Sequence, residues 1–326
     1  MRYRKLGASD LTVSEISLGT WLAFGEGETR TRHVACVRRA FELGVTLFDT
    51  ANVYGFGEAE KLLAEALQGL PRDRYLLATK LWGPMDNGDR GLSRAQVFKQ
   101  IDGSLARLKT DYVDLYQCHR HDDETPLEET MEALSEVVRQ GKVRWLGFSE
   151  WPLDKVRDAA ALAGVEHFVS SQPQYSLLWR EPEAGIFPLG CKLGLGQLVW
   201  SPLAQGVLAG RYPPGSAMPE GWRGESPAMS VHLRRWFSPA VLAAAQALPA
   251  IAAEAGLSAA QFAVAWTLRR PEVSSAIVGA SRPEQVQDTL AASGARVDPA
   301  LFERAERLLG EALTQAERAE PETGRG

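Results

Sequence analysis

One unit recurs along this chain and restricts its fold more than any other feature. A short β-branched, leucine-rich or aromatic run leads into a polar or glycine-bearing loop, then into an amphipathic stretch ending on glycine, and the next apolar run begins at once. The unit closes on Gly44 before Val45-Thr46-Leu47-Phe48 and on Gly141 before Lys142-Val143-Arg144-Trp145-Leu146. It closes again on Gly164 before residues 165–169 and on Gly196 before Gln197-Leu198-Val199-Trp200. Glycine at such points supplies the left-handed residue that ends a helix. Thr125-Pro126-Leu127-Glu128 reads as a helix start, with an N-cap, proline at the first helical position and a capping-box acid, and Ser93-Arg94-Ala95-Gln96 follows the same logic.

Strands are expected near Ile16–Leu18, Val45–Phe48, Tyr75–Thr79, Tyr112–Cys118, Val143–Phe148, His167–Ser171, Leu198–Trp200 and Ser274–Val278. Alternating with helices, they predict a (β/α)8 TIM barrel, an α/β fold, as one domain over residues 1–326. A doubly wound open sheet would usually carry a glycine fingerprint after its first strand, and Leu18-Gly19-Thr20-Trp21 is not one. Residues 3–15 alternate around Gly7-Ala8-Ser9-Asp10, which predicts an N-terminal β-hairpin. Gln205–Ser238 is long, aperiodic, rich in Pro and Gly and aromatic at Trp222 and Trp236, so a flap is expected after strand seven. The Glu-, Arg- and Gly-rich end from about Thr314 is expected to fray.

Composition narrows the function. With 45% hydrophobic and 24% charged residues the chain can bury a sizeable core. A net charge of −5 and scattered arginines weigh against nucleic acid, which needs clustered cations. No apolar run has the length of a signal peptide or a membrane span, so no membrane insertion is expected. Cys36, Cys118 and Cys191 are widely separated, which suits a reducing compartment and a cytoplasmic location. Oligomeric state stays open, a homo-oligomer included.

In such a barrel the active site lies at the C-terminal strand ends. Strand two stops on Asp49, strand three on Lys80 and strand four on His119, with Tyr54 in the turn closed by Gly55. A desolvated carboxylate needs a compensating partner, and Lys80 is the cation that can supply it. A tyrosine titrates near ~10; a lysine ammonium beside its oxygen is expected to lower that value, with Asp49 holding the lysine charged and aimed. A neutral His119 could orient a carbonyl oxygen. Taken singly, Asp49 would cap a turn, Tyr54 would be a surface aromatic, Lys80 a solvated charge and His119 a rim residue. Their joint placement on three consecutive strand ends is what points to chemistry.

These residues carry a resemblance. Phe48-Asp49-Thr50-Ala51, Tyr54-Gly55, Ala78-Thr79-Lys80 and Asp111 to His119 are similar to motifs of the aldo-keto reductase superfamily. Trp200-Ser201-Pro202-Leu203-Ala204-Gln205-Gly206 and Val278-Gly279-Ala280-Ser281-Arg282-Pro283-Glu284-Gln285 extend the match, which runs from Leu6 to about Leu309. Ser170-Ser171-Gln172-Pro173-Gln174-Tyr175-Ser176 and the Trp200 motif resemble the bacterial branch related to voltage-gated potassium channel β subunits.

The resemblance implies NADPH-dependent reduction of a small aldehyde or ketone. Tyr54 would be the general acid, Lys80 and Asp49 would tune it, and His119 would orient the carbonyl. Ser149 and Gln172 would hold the cofactor's carboxamide and Trp200 would stack on its nicotinamide. Gly19, Thr20, Trp21 and Asp49 also fall among the implied cofactor contacts. Ser201, Leu203 and Arg211 would line the pyrophosphate path, with Pro202, Gln205 and Gly206 in the same loop. Gly279, Ser281, Arg282, Gln285, Asp288 and Thr289 would hold the adenosine end, Arg282 taking a 2′-phosphate. Two departures stand out: Glu150 replaces a more usual Asn or Arg, and Asp288-Thr289 replaces a Glu-Asn pair.

Two other readings compete. The channel-associated relatives would make this a redox-sensing subunit that holds NADPH, but those proteins lack the histidine that stands here as His119. His119-Arg120-His121-Asp122-Asp123 has the look of zinc ligands at a strand end. The remaining histidines, His33, His167 and His232, do not complete such a set, so no metal is expected.

Overall fold

The computed structural model describes residues 1–21, 25–216 and 235–319. A hairpin comes first: β1 (Tyr3–Lys5) and β2 (Thr12–Ser14), paired antiparallel. Eight parallel strands then close into a barrel: β3 (Ile16–Gly19), β4 (Leu47–Asp49), β5 (Leu76–Leu81), β6 (Val113–Cys118), β7 (Val143–Phe148), β8 (Phe168–Ser171), β9 (Gly196–Trp200) and β10 (Val273–Val278). Strand β10 pairs with both β9 and β3 and closes the ring. Leu, Val and Phe side chains of the strands and the inner faces of the surrounding helices form the main core.

The hairpin plugs the bottom of the barrel. Leu6, Leu11 and Val13 pack with Leu47, Ala78, Leu115, Leu198 and Ile277 in a separate apolar cluster. The close approach of two backbones makes this fit. A Cβ on Gly196 would lie 2.4 Å from the Gly7 nitrogen and 2.6 Å from Leu6 Cδ1. Gly196 therefore opens β9 beneath the plug, and the left-handed cap of the preceding helix, Ile186–Leu193, is Gly194 at φ +73°. That corrects the expectation that Gly196 ends this helix.

Two further expectations change. Thr125 does not cap the helix Leu127–Arg139: Pro126 holds the cap position, and the Thr125 hydroxyl donates instead to Asp122 Oδ2 at 2.8 Å. Ser93 does cap Arg94–Leu108, accepting the Gln96 N–H, but the Gln96 side chain turns away to Asp89. The last helix, Pro299–Ala319, runs through Thr314, so the expected fraying does not begin there. Residues 320–326, the central part of the predicted flap (217–234) and the apolar run 22–24 lie outside the described residues. No single helix among the described residues is long and apolar enough to cross a membrane.

Candidate active site

At the C-terminal rim of the barrel, Lys80 is fully buried and donates to three oxygens. These are Asp49 Oδ1 at 2.5 Å, the Thr50 carbonyl at 2.9 Å and Tyr54 Oη at 3.4 Å. Parallel pairing explains the convergence, because Asp49 sits opposite Ala78 on β5 and Lys80 sits opposite Gln117 on β6. The Asp49 backbone is pinned as well, its carbonyl accepting both the Thr20 N–H and the Thr20 hydroxyl. His119 follows β6, and its ring meets Tyr54 edge-on with centroids 5.7 Å apart. Asp49, Tyr54, Lys80 and His119 thus form one cluster.

Charge states follow from burial and neighbours. Burial is the largest influence and works against the Lys80 charge, but the Asp49 carboxylate and the Tyr54 oxygen together outweigh it and hold the ammonium above the ordinary lysine range. Burial also pushes the Tyr54 phenol above its usual value. Lys80 pulls downward and offsets only part of that, while Asp49 adds to the rise. The expected lowering of Tyr54 is therefore corrected: the lysine's pull is present, yet desolvation of the ring exceeds it. Tyr54 stays a protonated phenol that accepts from Lys80 and keeps its own O–H for donation. Burial, then the charges of Lys80 and Arg120, press His119 well below the usual histidine range, so its imidazole is neutral near pH 7.

Asp49 has partners that the sequence reading missed. Its Oδ2 accepts the Gln172 side-chain N–H at 2.8 Å and the Gln117 N–H at 3.2 Å, and the two amides also bond each other. Gln172, expected at the cofactor's carboxamide, has its Nε2 on the Asp49 carboxylate. Gln117 was legible in principle. It lies two residues before His119, on the same strand face by alternation, as a lone amide in an apolar run. Gly147 on β7 makes room for it, since a Cβ there would come within 3.1 Å of Gln117 Cγ. Ser149 Oγ donates to the Gln172 carbonyl at 2.8 Å and so ties the end of β7 to that of β8.

The other expected cofactor residues fall on the same rim. Gly19 ends β3 and Thr20 and Trp21 follow it; Trp21 stacks near Tyr54 (6.2 Å, 26°) and meets Trp200 edge-on (6.2 Å, 84°). After β9 come Ser201, Pro202, Leu203, Gln205 and Gly206; Ser201 and Gln205 both have positive φ, and Gln205 Nε2 donates to Ser201 Oγ at 2.7 Å. Arg211 follows in the same loop, exposed. After β10, Gly279 leads to Ser281, whose N–H and hydroxyl both donate to Gln285 Oε1. Arg282 is exposed at the N-cap of the helix Pro283–Leu290. The adenine pair is altered. Thr289 is buried with its hydroxyl donating to the Gln285 carbonyl, and the exposed Asp288 has its carboxylate engaged by Gln261 Nε2 at 2.8 Å.

The His-x-His run separates. His121 Nδ1 lies 3.0 Å from Asp123 Oδ1, and its ring packs edge-on against Trp151. Trp151 itself packs with Phe148 and Phe168 in the core.

Comparison with known proteins agrees with this architecture. The aldo/keto reductase family model matches residues 15–313. A probable voltage-gated potassium channel subunit beta of Oryza sativa subsp. japonica is 37% identical over 299 residues, covering 90% of this chain and 91% of the relative. Its counterpart in Arabidopsis thaliana is 36% identical with the same coverage. A putative subunit of that kind in Schizosaccharomyces pombe is 36% identical over 302 residues, covering 89% and 87%. Among solved structures, a glycerol dehydrogenase from Gluconobacter oxydans superposes with a TM-score of 0.81 at 27% identity, covering 95% of each chain.

Proposed function

The chain belongs to the aldo/keto reductase family, a family of oxidoreductases, and from that membership we propose that it reduces small aldehydes and ketones to alcohols with NADPH. One observation carries the reading: the buried Lys80 ammonium bridges the Asp49 carboxylate and the Tyr54 phenol. That bridge keeps the lysine charged and leaves the phenol proton free to move. Tyr54 donates it to the carbonyl oxygen as negative charge grows there, and the ammonium beside the phenol oxygen stabilises the phenolate left behind. Neutral His119, edge-on to Tyr54, donates a hydrogen bond that orients the same oxygen.

The donor set suits an anionic dinucleotide. Exposed Arg211 and Arg282 stand on the loops after β9 and β10, where barrels of this kind bind phosphate, and the Trp21 indole lies between Tyr54 and Trp200, in ring contact with each. When bound, the cofactor supplies a hydride to the carbonyl carbon. Trp200 offers its ring to the nicotinamide, the Ser201–Gly206 loop lines the pyrophosphate, and Arg282 pairs with a 2′-phosphate, which favours NADPH over NADH.

The test is NADPH oxidation against a panel of aromatic aldehydes, methylglyoxal and sugars. Tyr54→Phe should abolish turnover and leave NADPH affinity nearly intact; retained turnover would sink the assignment. The named potassium-channel relatives favour a second reading, an NADPH-holding regulatory subunit of a membrane channel. Copurification with a channel, together with no turnover on the whole panel, would select it.

A further inference from the structure

Glu150 is one of the two places at which the sequence departs from related motifs, and it has an unusual backbone. It follows β7 at φ +54°, a left-handed conformation that side chains other than glycine, asparagine and aspartate rarely adopt. Its carboxylate Oε1 accepts two bonds, from the Gln174 backbone N–H at 2.6 Å and from the Trp200 indole N–H at 3.1 Å. The same segment also holds the Trp200 backbone. Gln174 bridges Trp200 as an isolated parallel pair, Trp200 N–H donates to the Pro173 carbonyl, and the Trp200 carbonyl accepts from Tyr175 N–H. Trp200 is therefore tied at its backbone and at the tip of its ring. An indole with only its backbone tied and an edge contact to Trp21 would still turn about its side-chain torsions; the bond to Glu150 adds a directional restraint at the ring's N–H.

We propose that Glu150 is a positioning residue that locks the plane of the Trp200 indole at the barrel mouth and so prepares it to stack on a nicotinamide ring. This rests on the reading of Trp200 as a cofactor contact. A ring held in place before binding loses less rotational freedom when the cofactor arrives, so the tie acts on cofactor affinity rather than on the chemical step.

Two variants separate the tie from backbone strain. Glu150→Gln keeps a carbonyl acceptor of the same length. Glu150→Gly removes the acceptor while suiting the left-handed backbone. The expected result is NADPH affinity within about twofold of wild type for the Gln variant and weaker on the order of tenfold for the Gly variant, the loss typical of one ordinary hydrogen bond. In a Trp200→Phe background, which has no indole N–H, Glu150→Gly should change affinity by less than about twofold. Equal losses in Gln and Gly, an unaffected Gly variant, or full additivity with Trp200→Phe would each overturn the proposal.

Near-UV circular dichroism of the full chain tests the positioning without any cofactor. The Gly variant should alter the tryptophan bands and the Gln variant should overlay wild type; an unaltered Gly spectrum would refute the lock. A wild-type protein that binds no nicotinamide dinucleotide, with the spectral change intact, would refute the cofactor reading and leave the positioning standing.

Discussion

Lys80→Met is the most direct test of how the candidate active site is held together. Methionine fills much of the lysine's volume but removes the ammonium, and with it the bonds to Asp49 Oδ1, the Thr50 carbonyl and Tyr54 Oη. Asp49 is only 3% exposed, so its carboxylate would remain in the protein without a cation. Breaking a buried ion pair by removing one partner costs about 3–5 kcal/mol. The Gln117 and Gln172 amides still donate to Oδ2, which places the expected loss near the lower end, about 3 kcal/mol. Removing both charges in Asp49→Asn/Lys80→Met should recover about 2 kcal/mol of that, because the uncompensated charge is gone. Urea unfolding followed by circular dichroism at pH 7 measures both, with the slope m unchanged. The sign with pH also follows. Folding raises the Lys80 pKa, so its contribution is complete below the unfolded value of 10.5 and is lost only as pH climbs through the higher folded value. The deficit of Lys80→Met should therefore be the same at pH 7 and at pH 9. A loss below about 1 kcal/mol, or a double variant that loses as much as the two single variants summed, would refute this account of the buried pair.

Other expectations concern pH, packing and cofactor choice. Folding lowers the His119 pKa from 6.5, so the unfolded chain takes up more protons and stability falls as pH drops below that value; His119→Asn should flatten this part of the acid limb in urea titrations between neutral and mildly acid pH. Gly196→Ala would push a methyl into the Gly7 backbone and Leu6, and thermal or urea melts should show a loss of about 1–3 kcal/mol. Arg282→Ala should raise the dissociation constant for NADPH far more than that for NADH in binding titrations; equal losses would remove the 2′-phosphate role.

Much of this protein was legible from local pattern. Barrel strand starts and ends fall within two residues of the predicted ones, because alternating apolar runs and the glycines after them are signals carried by neighbours in sequence. Asp49, Lys80 and His119 were legible for the same reason, since a polar residue that breaks an apolar run lies within one residue of a strand end, although β5 runs one residue past Lys80 to Leu81, and the barrel rule says where strand ends meet. The exact caps were less so: Thr125 has the right residue type for a cap, yet its hydroxyl finds Asp122, a partner set by how the loop folds.

What only the tertiary structure decided lies in distances between residues far apart in the chain. Asp49 and Gln172 are 123 residues apart, and no periodicity announces that the amide of one will serve the carboxylate of the other. The Glu150–Trp200 bond spans 50 residues, and Gly7 meets Gly196 only because the hairpin plugs the barrel. The protonation of Tyr54 shows the difference most clearly. Its lysine neighbour could be inferred from residue types, so the direction of that one interaction was determined by sequence. The net sign was not, because desolvation sums over every atom that closes around the phenol, and that sum exists only once the chain has folded.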